Sequence, residues 1–445
     1  MTPNQSLNMS LQLQNLIRTD LLQQITTEFP FGLIESKGNK KGDGKRDRVF
    51  NDSNTILTML LTAVHEDKSL QQSVNIFKQV FESRSEYIRE KEKEDLENER
   101  QKDAVIEKRA GRPKLYQSKL PRSKTQAISD NTSAYTKARQ RIDADLIKVV
   151  FDYSKDFSSI DQPLWHGMKT YNTDGTYIQM QDSEELGEKY YVQKHDNAYP
   201  QALLQGIVQQ GTGQVTCFTI GTRHQSELEL VSNLMYQLPK NSLLLADDLY
   251  NSYAIFAMIQ RQGCHIIVPG KRVRKYTVKE QIAAGDEIVE IAFNSTPDWW
   301  NQEWKLPKTL LLRRISHLSP IDGQTEWILY TTILDKRITK EDIIVKYRSR
   351  WDIEITIREI KTLMDINIAR SKSEEMVFKE VTIALAAYNM LRKIIAKSVE
   401  KTDSPPQEDI IQKFFEAHKA ILIDKKGRVY SRWSPGRYGQ TAIAN

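Results

Sequence analysis

Short strand-like runs alternate with helical segments between Tyr171 and Val268, and this alternation constrains the fold more than any other feature. The runs TYIQM, GIVQQ and GQVTCFTIG are followed by the helical segment ELELVSNLMYQL, the strand-like SLLLA, a helix over roughly Ser252 to Gln262, and the strand-like HIIV. Strands and helices that alternate at this spacing are typical of an α/β sheet layer. The predicted fold class is therefore α/β, with a mixed sheet flanked by helices.

A strand-rich stretch, residues 271–335, interrupts this alternation and carries hardly any helical signal. Its strand-like pieces are EIVEIAF, KTLLLRRI and EWILYTTIL. Such pieces without intervening helices predict a β-rich insertion in the α/β layer. Two helices are predicted after it, one over KYRSRWDIEITIREIKTLM and a long one over roughly Glu375 to Glu400.

The first of these helices carries four polar residues: Tyr347, Arg350, Glu354 and Lys361. At about 100° per residue of a continuous helix they fall within a sector of roughly 60°, with Arg358 beside them. A separate apolar stripe would attach the helix to a core: Ile353, Ile357, Ile360 and Met364. A solvated, salt-bridged helix face has the same pattern, so the polar face predicts a site only if further carboxylates lie nearby.

Two aspartates of the α/β layer are candidates for those carboxylates. Asp174 lies at the start of or within a predicted strand, and Gly175 beside it leaves room for a ligand. Asp247 follows SLLLA where the strand turns into a helix, a position that often carries functional groups in α/β sheets. Each has an alternative, because Asp-Gly is a common turn signal. Asp247 could also be a helix N-cap, with the adjacent Asp248 competing for either role.

Two strand-borne aspartates and one helix-borne glutamate form a donor set that suits hard divalent cations. Mg²⁺ prefers charged oxygen ligands and retains waters and phosphate oxygens beside them. Two such ions about 4 Å apart stabilise both the attacking and the leaving oxygen of a phosphoryl transfer. If Asp174, Asp247 and Glu354 form such a site, their carboxylates should lie within roughly 8 Å of one another and bind two Mg²⁺ ions, with Mn²⁺ as a substitute. Spacing alone leaves the turn and N-cap alternatives open.

Composition excludes several classes of protein. Cys217 and Cys264 are the only cysteines among 445 residues, which excludes a disulfide framework and a cysteine-based zinc site. The sequence has neither an apolar run of about 18 residues nor the layout of a signal peptide. A cytoplasmic protein that does not use a membrane is therefore predicted.

The net charge of +6 is distributed unevenly along the chain. Residues 110–150 carry nine Lys or Arg against three Asp, residues 37–48 carry six cations and two anions, and the segment from Asp424 carries five and one. Each stretch alone could be a solvated loop. Because such stretches recur at separate points, the predicted partner is a polyanion, namely nucleic acid.

These patterns divide the chain into six predicted parts. They are a helical amino-terminal module, predicted to contact the nucleic acid (1–83), a charged linker (84–125), the first part of the α/β core (126–270), the β-rich insertion (271–335), the second part of the core with the Glu-bearing helix (336–400), and a basic tail (401–445). The linker is placed where 17 of residues 84–109 are charged and few are apolar.

The Glu-bearing helix resembles that of bacterial DDE transposases of the insertion-sequence-four family. That family carries a Tyr-x2-Arg-x3-Glu-x6-Lys signature on the helix of its catalytic glutamate. The same residues stand at the same spacing here, without a gap: Tyr347, Arg350, Glu354 and Lys361. The resemblance covers most of residues 125–400.

Both aspartates stand in contexts similar to those of the family. The first family aspartate occurs in Asp-Gly-Thr or Asp-Gly-Ser, and Asp174 is followed by Gly175 and Thr176. The second follows an apolar strand and precedes an aromatic residue, as Asp247 precedes Tyr250. The Arg often found after that aspartate is Asp248 here, a departure from the family pattern.

The resemblance implies an RNase H-like catalytic core interrupted by the β-rich insertion. It implies a transposase that moves an insertion sequence by cut and paste, through hydrolysis at the transposon ends and attack of the 3′-hydroxyls on target DNA. Asp174, Asp247 and Glu354 would then be the catalytic, metal-binding residues. The implied partners are double-stranded DNA, as terminal inverted repeats and as target, and a second copy of the chain in a homodimer, acting at the nucleoid.

The resemblance also implies residues that contact DNA. Tyr347, Arg350 and Lys361 would grip phosphates, and Trp327 would stack on a base flipped from the transposon end. Packing within the insertion is the alternative for Trp327. Two other functions stay open: a domesticated or inactive DNA-binding protein of the same fold, and a two-metal nuclease without strand transfer.

Overall fold

The structure is a computed structural model that describes the following residues: 24–37, 48–65, 67–79, 130–160, 162, 164–190, 199–222, 224–270, 274–300, 303–318 and 326–400. The predicted linker 84–125 and the basic tail 401–445 lie outside the described residues.

Helices and strands alternate through the central part of the chain. The described helices are α1 (24–28), α2 (Phe31–Lys37), α3 (Asp52–Ala63), α4 (70–79), α5 (Ser133–Arg141), α6 (Ala144–Ser154), α7 (Glu184–Tyr190), α8 (Glu227–Met235), α9 (Tyr253–Gln262), α10 (Lys340–Arg348), α11 (Asp352–Leu363) and α12 (Glu374–Glu400). The strands are β1 (Lys169–Gln179), β2 (Gln201–Gln209), β3 (Val215–Thr222), β4 (Ser242–Leu245), β5 (His265–Pro269), β6 (Thr277–Ala283), β7 (Asp286–Ala292), β8 (Thr309–Leu318) and β9 (Glu326–Thr331).

All nine of these strands form one sheet in the order β3-β2-β1-β4-β5-β9-β8-β7-β6. Strands β1, β2 and β3 form an antiparallel meander, while β4 is parallel to β1 and β5 is parallel to β4. The remaining strands are antiparallel to their neighbours. The prediction of an α/β fold with a mixed sheet flanked by helices is thus confirmed.

Strand β1 begins earlier than the run TYIQM indicates. Its first half contains polar residues that are almost completely buried, among them Asn172 and Thr173. These residues lie in a central strand that pairs with β2 on one edge and β4 on the other. Burial of polar residues in the middle of a sheet depends on contacts distant in sequence, which a local hydrophobic pattern does not record.

Apolar side chains on the two faces of the sheet form separate cores. On β4, Leu244 packs with residues of α8 and α9, whereas Leu243 and Leu245 pack on the other face with residues that include Ile343 of α10. Successive side chains of a strand point to opposite faces, so a strand covered on both sides reads as a continuous apolar run. This explains why the three leucines of β4 follow one another without a polar residue between them and why β4 lies inside the sheet.

Strands β6 to β9 lie within residues 271–335 and extend the sheet beyond β5. A buried ion pair fastens them to the chain that follows. Arg313 on β8 donates to both carboxylate oxygens of Asp286 on β7, at 2.7 and 2.6 Å, and both side chains are almost completely buried. The Arg313 guanidinium also donates to the Ile338 carbonyl at 2.8 Å, just before α10.

The prediction of one continuous helix over KYRSRWDIEITIREIKTLM is wrong. Helix α10 ends at Arg348, a 3₁₀ turn covers Ser349–Trp351, and α11 begins at Asp352. Gln210, from the β2–β3 connection, donates to the Ser349 carbonyl at 3.1 Å and to the Asp352 carboxylate at 2.9 Å. A side chain that inserts into the backbone ladder breaks a helix at that point, and this one comes from a distant part of the sequence.

Two compact units are distinguished, one of residues Phe29–Asn389 and one of Met1–Glu28 with Met390–Asn445. In the first, α2 packs against α3 and α6, and α3 against α5. In the second, Glu28 and Lys397 form an ion pair at 2.8 Å. The predicted domain boundaries stay predictions. Within the described ranges, no helix combines the length and the apolar character needed to cross a membrane.

Candidate active site

Asp174 lies inside β1, where it pairs with Gly206 of β2. Gly175 continues the strand and pairs with Gln205, so the Asp-Gly dipeptide is not a turn here. The Asp174 carboxylate accepts a hydrogen bond from the Gly175 N–H at 2.9 Å. Asp174 therefore lies within a central strand, as predicted for the first of the two candidate aspartates.

Asp247 follows β4, the neighbour of β1 in the sheet. Asn172 pairs with Leu245 in the parallel ladder. Asp174 and Asp247, each two residues further on, are thus at equivalent positions of adjacent chain segments, which lie about 4.8 Å apart in a sheet. The Asp247 carboxylate accepts from the Leu249 N–H at 2.9 Å and caps the 3₁₀ turn Asp248–Tyr250. A carboxylate has about four acceptor positions, so capping is compatible with binding a cation.

Glu354 lies in the first turn of α11, which packs against β1. The predicted apolar stripe holds the helix down, since Ile353, Ile360 and Met364 are buried and Ile357 is half-buried. The Glu354 carboxylate forms an ion pair with Arg350 at 3.2 Å. The Arg350 side chain is only 13% exposed, whereas that of Glu354 is 39% exposed, so the carboxylate is accessible from one side.

Electrostatic coupling relates these residues to one another. Partial burial raises the pKa of Asp174, and the negative charges of Asp247 and Glu354 raise it further, while the Gly175 N–H and Arg350 oppose the increase. Carboxylates that repel one another in a partly buried place fit a divalent cation, which would relieve the repulsion. In the part of the chain that the structure describes, no three His, Cys, Asp or Glu side chains are arranged to hold a metal ion. The predicted metal roles and the 8 Å grouping stay predictions.

The other two signature residues are directed toward the same place. The Tyr347 hydroxyl donates to the carbonyl of Ala246, the residue before Asp247, at 3.4 Å. Burial raises the pKa of Tyr347 to about 12, with Arg350 opposing the shift. Partial burial lowers the pKa of Lys361, and the charge of Asp174 opposes that shift. Tyr347 thus lies beside the chain segment that carries Asp247, and Lys361 is close enough to Asp174 for its charge to matter.

The two tryptophans of this region differ in exposure. Trp327 on β9 pairs with His317 on β8, the two rings lie 5.8 Å apart, and the indole is half-buried. Its predicted stacking on a flipped base stays a prediction beside this packing role. Trp351, in the 3₁₀ turn, is 62% exposed, and the Arg350 guanidinium lies 5.2 Å from its ring. Arg358 is exposed as well.

Glu227, in the first turn of α8, is a neighbour that sequence reasoning missed. Its carboxylate accepts a hydrogen bond from the Tyr250 hydroxyl at 3.2 Å. Burial raises its pKa, and the charges of Asp174 and Asp247 raise it further. In the sequence it follows Ser226 and reads as an ordinary acidic residue at the start of a helix. Nothing local to HQSELEL distinguishes it.

Residues 165–390 match the family model described as the transposase DDE domain. This match covers half of the chain and includes Asp174, Asp247 and Glu354. The chain belongs to the transposase DDE domain family. Members of this family generally use divalent metal ions, and the resemblance to bacterial transposases of the insertion-sequence-four family is confirmed.

Two relatives of this DDE transposase domain come from Escherichia coli (strain K12). The transposase InsG for insertion sequence element IS4 is 26% identical over 277 residues, which are 60% of this chain and 62% of that protein. The putative transposase InsZ is 29% identical over 146 residues, which are 31% of this chain and 49% of that protein. The alignments thus span about half to three fifths of these relatives' lengths.

Among solved structures, the chain is similar to the piggyBac transposase synaptic complex with hairpin DNA. That similarity has a TM-score of 0.35 and 10% identity, over 92% of this chain and 84% of that one. A similarity this distant adds nothing to the family assignment.

Proposed function

We propose that the protein is a DNA transposase that moves an insertion sequence by cut and paste. The reaction is hydrolysis of DNA at the transposon ends, followed by transfer of the 3′-hydroxyls into target DNA. The observation that carries the proposal is the placement of Asp174 and Asp247 at equivalent positions of adjacent chain segments, with α11, which bears Glu354, packed against β1. Family membership supports the same reaction class.

The strand order supports an RNase H-like core for this activity. Strands β3-β2-β1-β4-β5 form a unit in which an antiparallel meander is followed by two strands parallel to β1. Strands β6 to β9 then form the insertion, which continues the sheet instead of making a separate one. The helical segments before residue 83 are proposed as the DNA-binding module.

Asp174, Asp247 and Glu354 would hold two Mg²⁺ ions, or Mn²⁺ in their place. Bound divalent cations supply Lewis-acid stabilisation of the attacking and leaving oxygens in phosphoryl transfer. These three side chains suit divalent cations because their carboxylates repel one another at neutral pH and offer the charged oxygens that such cations prefer. Arg350 orients one of them through its ion pair with Glu354.

The cationic members of the signature are proposed to bind the DNA backbone. Arg350 presents a planar guanidinium suited to bidentate contact with phosphate, and Lys361 presents a point charge. The hydrogen bond from Tyr347 to the Ala246 carbonyl keeps the phenol beside Asp247. Trp327 is proposed to stack on an extruded base, since an indole face stacks on any base.

Proposed partners are the terminal inverted repeats, the target DNA and a second copy of the chain. The basic stretches at residues 37–48 and 110–150, and in the tail, support a polyanionic partner. Two transposon ends must be joined in one reaction, which supports a homodimer in the DNA complex.

The test uses the full chain, a labelled duplex bearing the inverted repeat that flanks the gene, and a supercoiled target plasmid. With Mg²⁺ or Mn²⁺ we expect nicking at the end of the repeat and joined products in the plasmid. Nicking without joining would show that the protein is a nuclease that uses the same centre and not a transposase. DNA binding without nicking, in both Mg²⁺ and Mn²⁺, would show that the protein is an inactive DNA-binding protein.

A further inference from the structure

Glu227 packs against the backbone beside Asp174. A Cβ atom added to Gly175 would lie 2.7 Å from Glu227 Cδ and 2.8 Å from Gln205 Oε1. Cβ atoms essentially never lie that close to other atoms, so a side chain at residue 175 would have to displace the ends of the Glu227 and Gln205 side chains. Gly175 on β1 thus lies against the Glu227 carboxyl group of α8 and the Gln205 amide of β2.

A buried hydrogen-bond network joins Glu227 to both aspartate-bearing segments. Gln205 donates from Nε2 to Thr173 Oγ1 and to the Tyr250 hydroxyl, each at 2.8 Å. The Tyr250 hydroxyl in turn donates to Glu227 at 3.2 Å. Thr173 precedes Asp174 in the chain, and the Tyr250 N–H donates to the Asp247 carbonyl at 3.2 Å.

The interior of this network is closed to solvent. Thr173 is 1% exposed, and Gln205 and Tyr250 are 0% exposed. A network this deeply buried holds its members in one arrangement, because each polar group that lost its partner would be left unsatisfied. The carboxylate at the end of the network is therefore held in a defined position relative to Asp174 and Asp247.

The Gln205 side-chain oxygen is an independent sign of a ligand position. Oε1 is buried and has no hydrogen-bond partner, although Nε2 of the same amide donates two hydrogen bonds. It points toward Gly175 and the Glu227 carboxyl group. Buried acceptors are nearly always satisfied in proteins, so a buried acceptor without a partner marks a position where a ligand can bind.

We propose that Glu227 is a fourth carboxylate of the cation site, beside Asp174, Asp247 and Glu354. The inference rests on the proposed function, since it assigns a further residue to the same site. A fourth carboxylate adds negative charge and donor oxygens, and both increase the affinity of a protein for hard divalent cations. Neither the signature nor the aspartate contexts include this residue.

The test measures Mn²⁺ binding to the full chain without DNA, by electron paramagnetic resonance of free Mn²⁺. Glu227→Gln keeps the side-chain shape and an acceptor for Tyr250 but removes the charge. We expect Mn²⁺ to bind about 10- to 100-fold more weakly. Glu229→Gln, on the same helix, is the matched control and should bind as the wild type does. Wild-type affinity in Glu227→Gln overturns the proposal.

Gly175→Ala tests the same position without removing any carboxylate. The new methyl group must displace the Glu227 carboxyl group, so Mn²⁺ affinity should fall. In the Glu227→Gln background the same substitution should cause no additional loss, as for two changes that act through one contact. A loss in Gly175→Ala that is equally large in the Glu227→Gln background, together with wild-type affinity in Glu227→Gln alone, would overturn the proposal, because Gly175 would then act independently of Glu227.

Asp174→Asn distinguishes a failure of this inference from a failure of the proposed function. If Asp174→Asn loses Mn²⁺ binding while Glu227→Gln retains it, Glu227 is not part of the site but the site itself stands. If Asp174→Asn also binds Mn²⁺ normally, the proposed cation site fails and the inference fails with it. Circular dichroism verifies the fold of each variant. Glu227→Asp, which retains the charge but shortens the side chain, replaces Glu227→Gln if that variant does not fold, and wild-type affinity there again overturns the proposal.

Discussion

At the scale of single residues, the proposed role of Asp174 as a cation ligand opposes the stability of the folded chain. Its pKa is raised in the folded chain, first by burial and then by neighbouring carboxylates. The native state therefore binds this proton more tightly than the unfolded state does. The free energy of unfolding falls as the pH rises from the ordinary aspartate pKa of 3.8 through the raised pKa of the folded state. Above that pH range the full loss of stability is present.

Asp174→Asn should for this reason be more stable than the wild type at pH 7. The difference should disappear as the pH falls below about 3.8, where the aspartate is protonated in both states. Thermal unfolding of the two proteins across this pH range, without divalent cations, measures the effect. The exposed Asp298→Asn serves as the control. An Asp174→Asn protein that is less stable than the wild type at pH 7 would contradict the electrostatic account.

The signature residues could be found from the sequence because their spacing is local. Tyr347, Arg350 and Glu354 are a few residues apart in the chain. The 3₁₀ turn between α10 and α11 leaves the Arg350 and Glu354 side chains in contact. Glu227 could not be found in this way. Its proximity to Asp174 depends on how α8 packs over β1, and the one indirect sign is Gly175, which the sequence indicates as room for a ligand.

At the scale of elements, the break between α10 and α11 sets the position of Arg350. Gln210 holds the break from the β2–β3 connection through the Ser349 carbonyl and Asp352, and it accepts a hydrogen bond from Lys346 at 2.6 Å. No pattern in the helix itself records this contact. The sequence therefore predicted two helical segments as one, although it predicted which side of α11 is buried.

Gln210→Ala should lower DNA nicking by about 10- to 100-fold, because misplacement of a positioned group by about 1 Å has effects of that size. The free energy of unfolding should fall by about 1–3 kcal/mol, because three hydrogen bonds are lost and each typically contributes about 1 kcal/mol. Single-turnover nicking and urea unfolding measure the two quantities. Gln260→Ala, which loses a hydrogen bond to Leu311 elsewhere, is the control and should nick normally. Equal activity of the two variants would contradict the assigned role of the break.

The insertion depends on the buried pair of Arg313 and Asp286. Arg313→Met leaves the Asp286 carboxylate buried without a partner, so unfolding should become easier by about 3–5 kcal/mol. Replacing both, as Arg313→Met with Asp286→Leu, should recover much of this loss. Urea unfolding measures each protein. Arg337→Ala, which removes an exposed partner of Asp335, should lose little stability, because water screens exposed ion pairs. A loss that small for Arg313→Met would contradict the importance of the pair.

At the scale of the whole molecule, the uneven distribution of charge predicts how DNA binding responds to salt. Each phosphate contact contributes about 0.9 to the slope of log affinity against log salt concentration. Replacing the five cations of the tail, Lys425, Lys426, Arg428, Arg432 and Arg437, with Gln should therefore make the slope shallower. Fluorescence anisotropy with a labelled duplex measures it. An unchanged slope would mean that the tail makes no phosphate contacts.

Long-range organisation of the chain was only partly accessible from sequence. Alternating strand and helix patterns predicted the α/β layer and the position of the insertion strands, because both depend on local periodicity. That β9, and not β6, joins the insertion to β5 follows from pairing between strands about 60 residues apart in the chain. Such pairing leaves no local trace, so the single nine-stranded sheet could not be predicted.

The central claim is that Asp174, Asp247 and Glu354 form one cation-dependent centre that cuts DNA. The most direct measurement is single-turnover nicking of an end duplex in Mg²⁺ by Asp174→Asn, Asp247→Asn and Glu354→Gln, with Asp248→Asn as the matched control. We predict that the first three lose at least about 1000-fold in rate, while Asp248→Asn cuts within a few-fold of the wild type. Normal cutting by any of the three, or loss in Asp248→Asn but not in Asp247→Asn, would contradict the assignment.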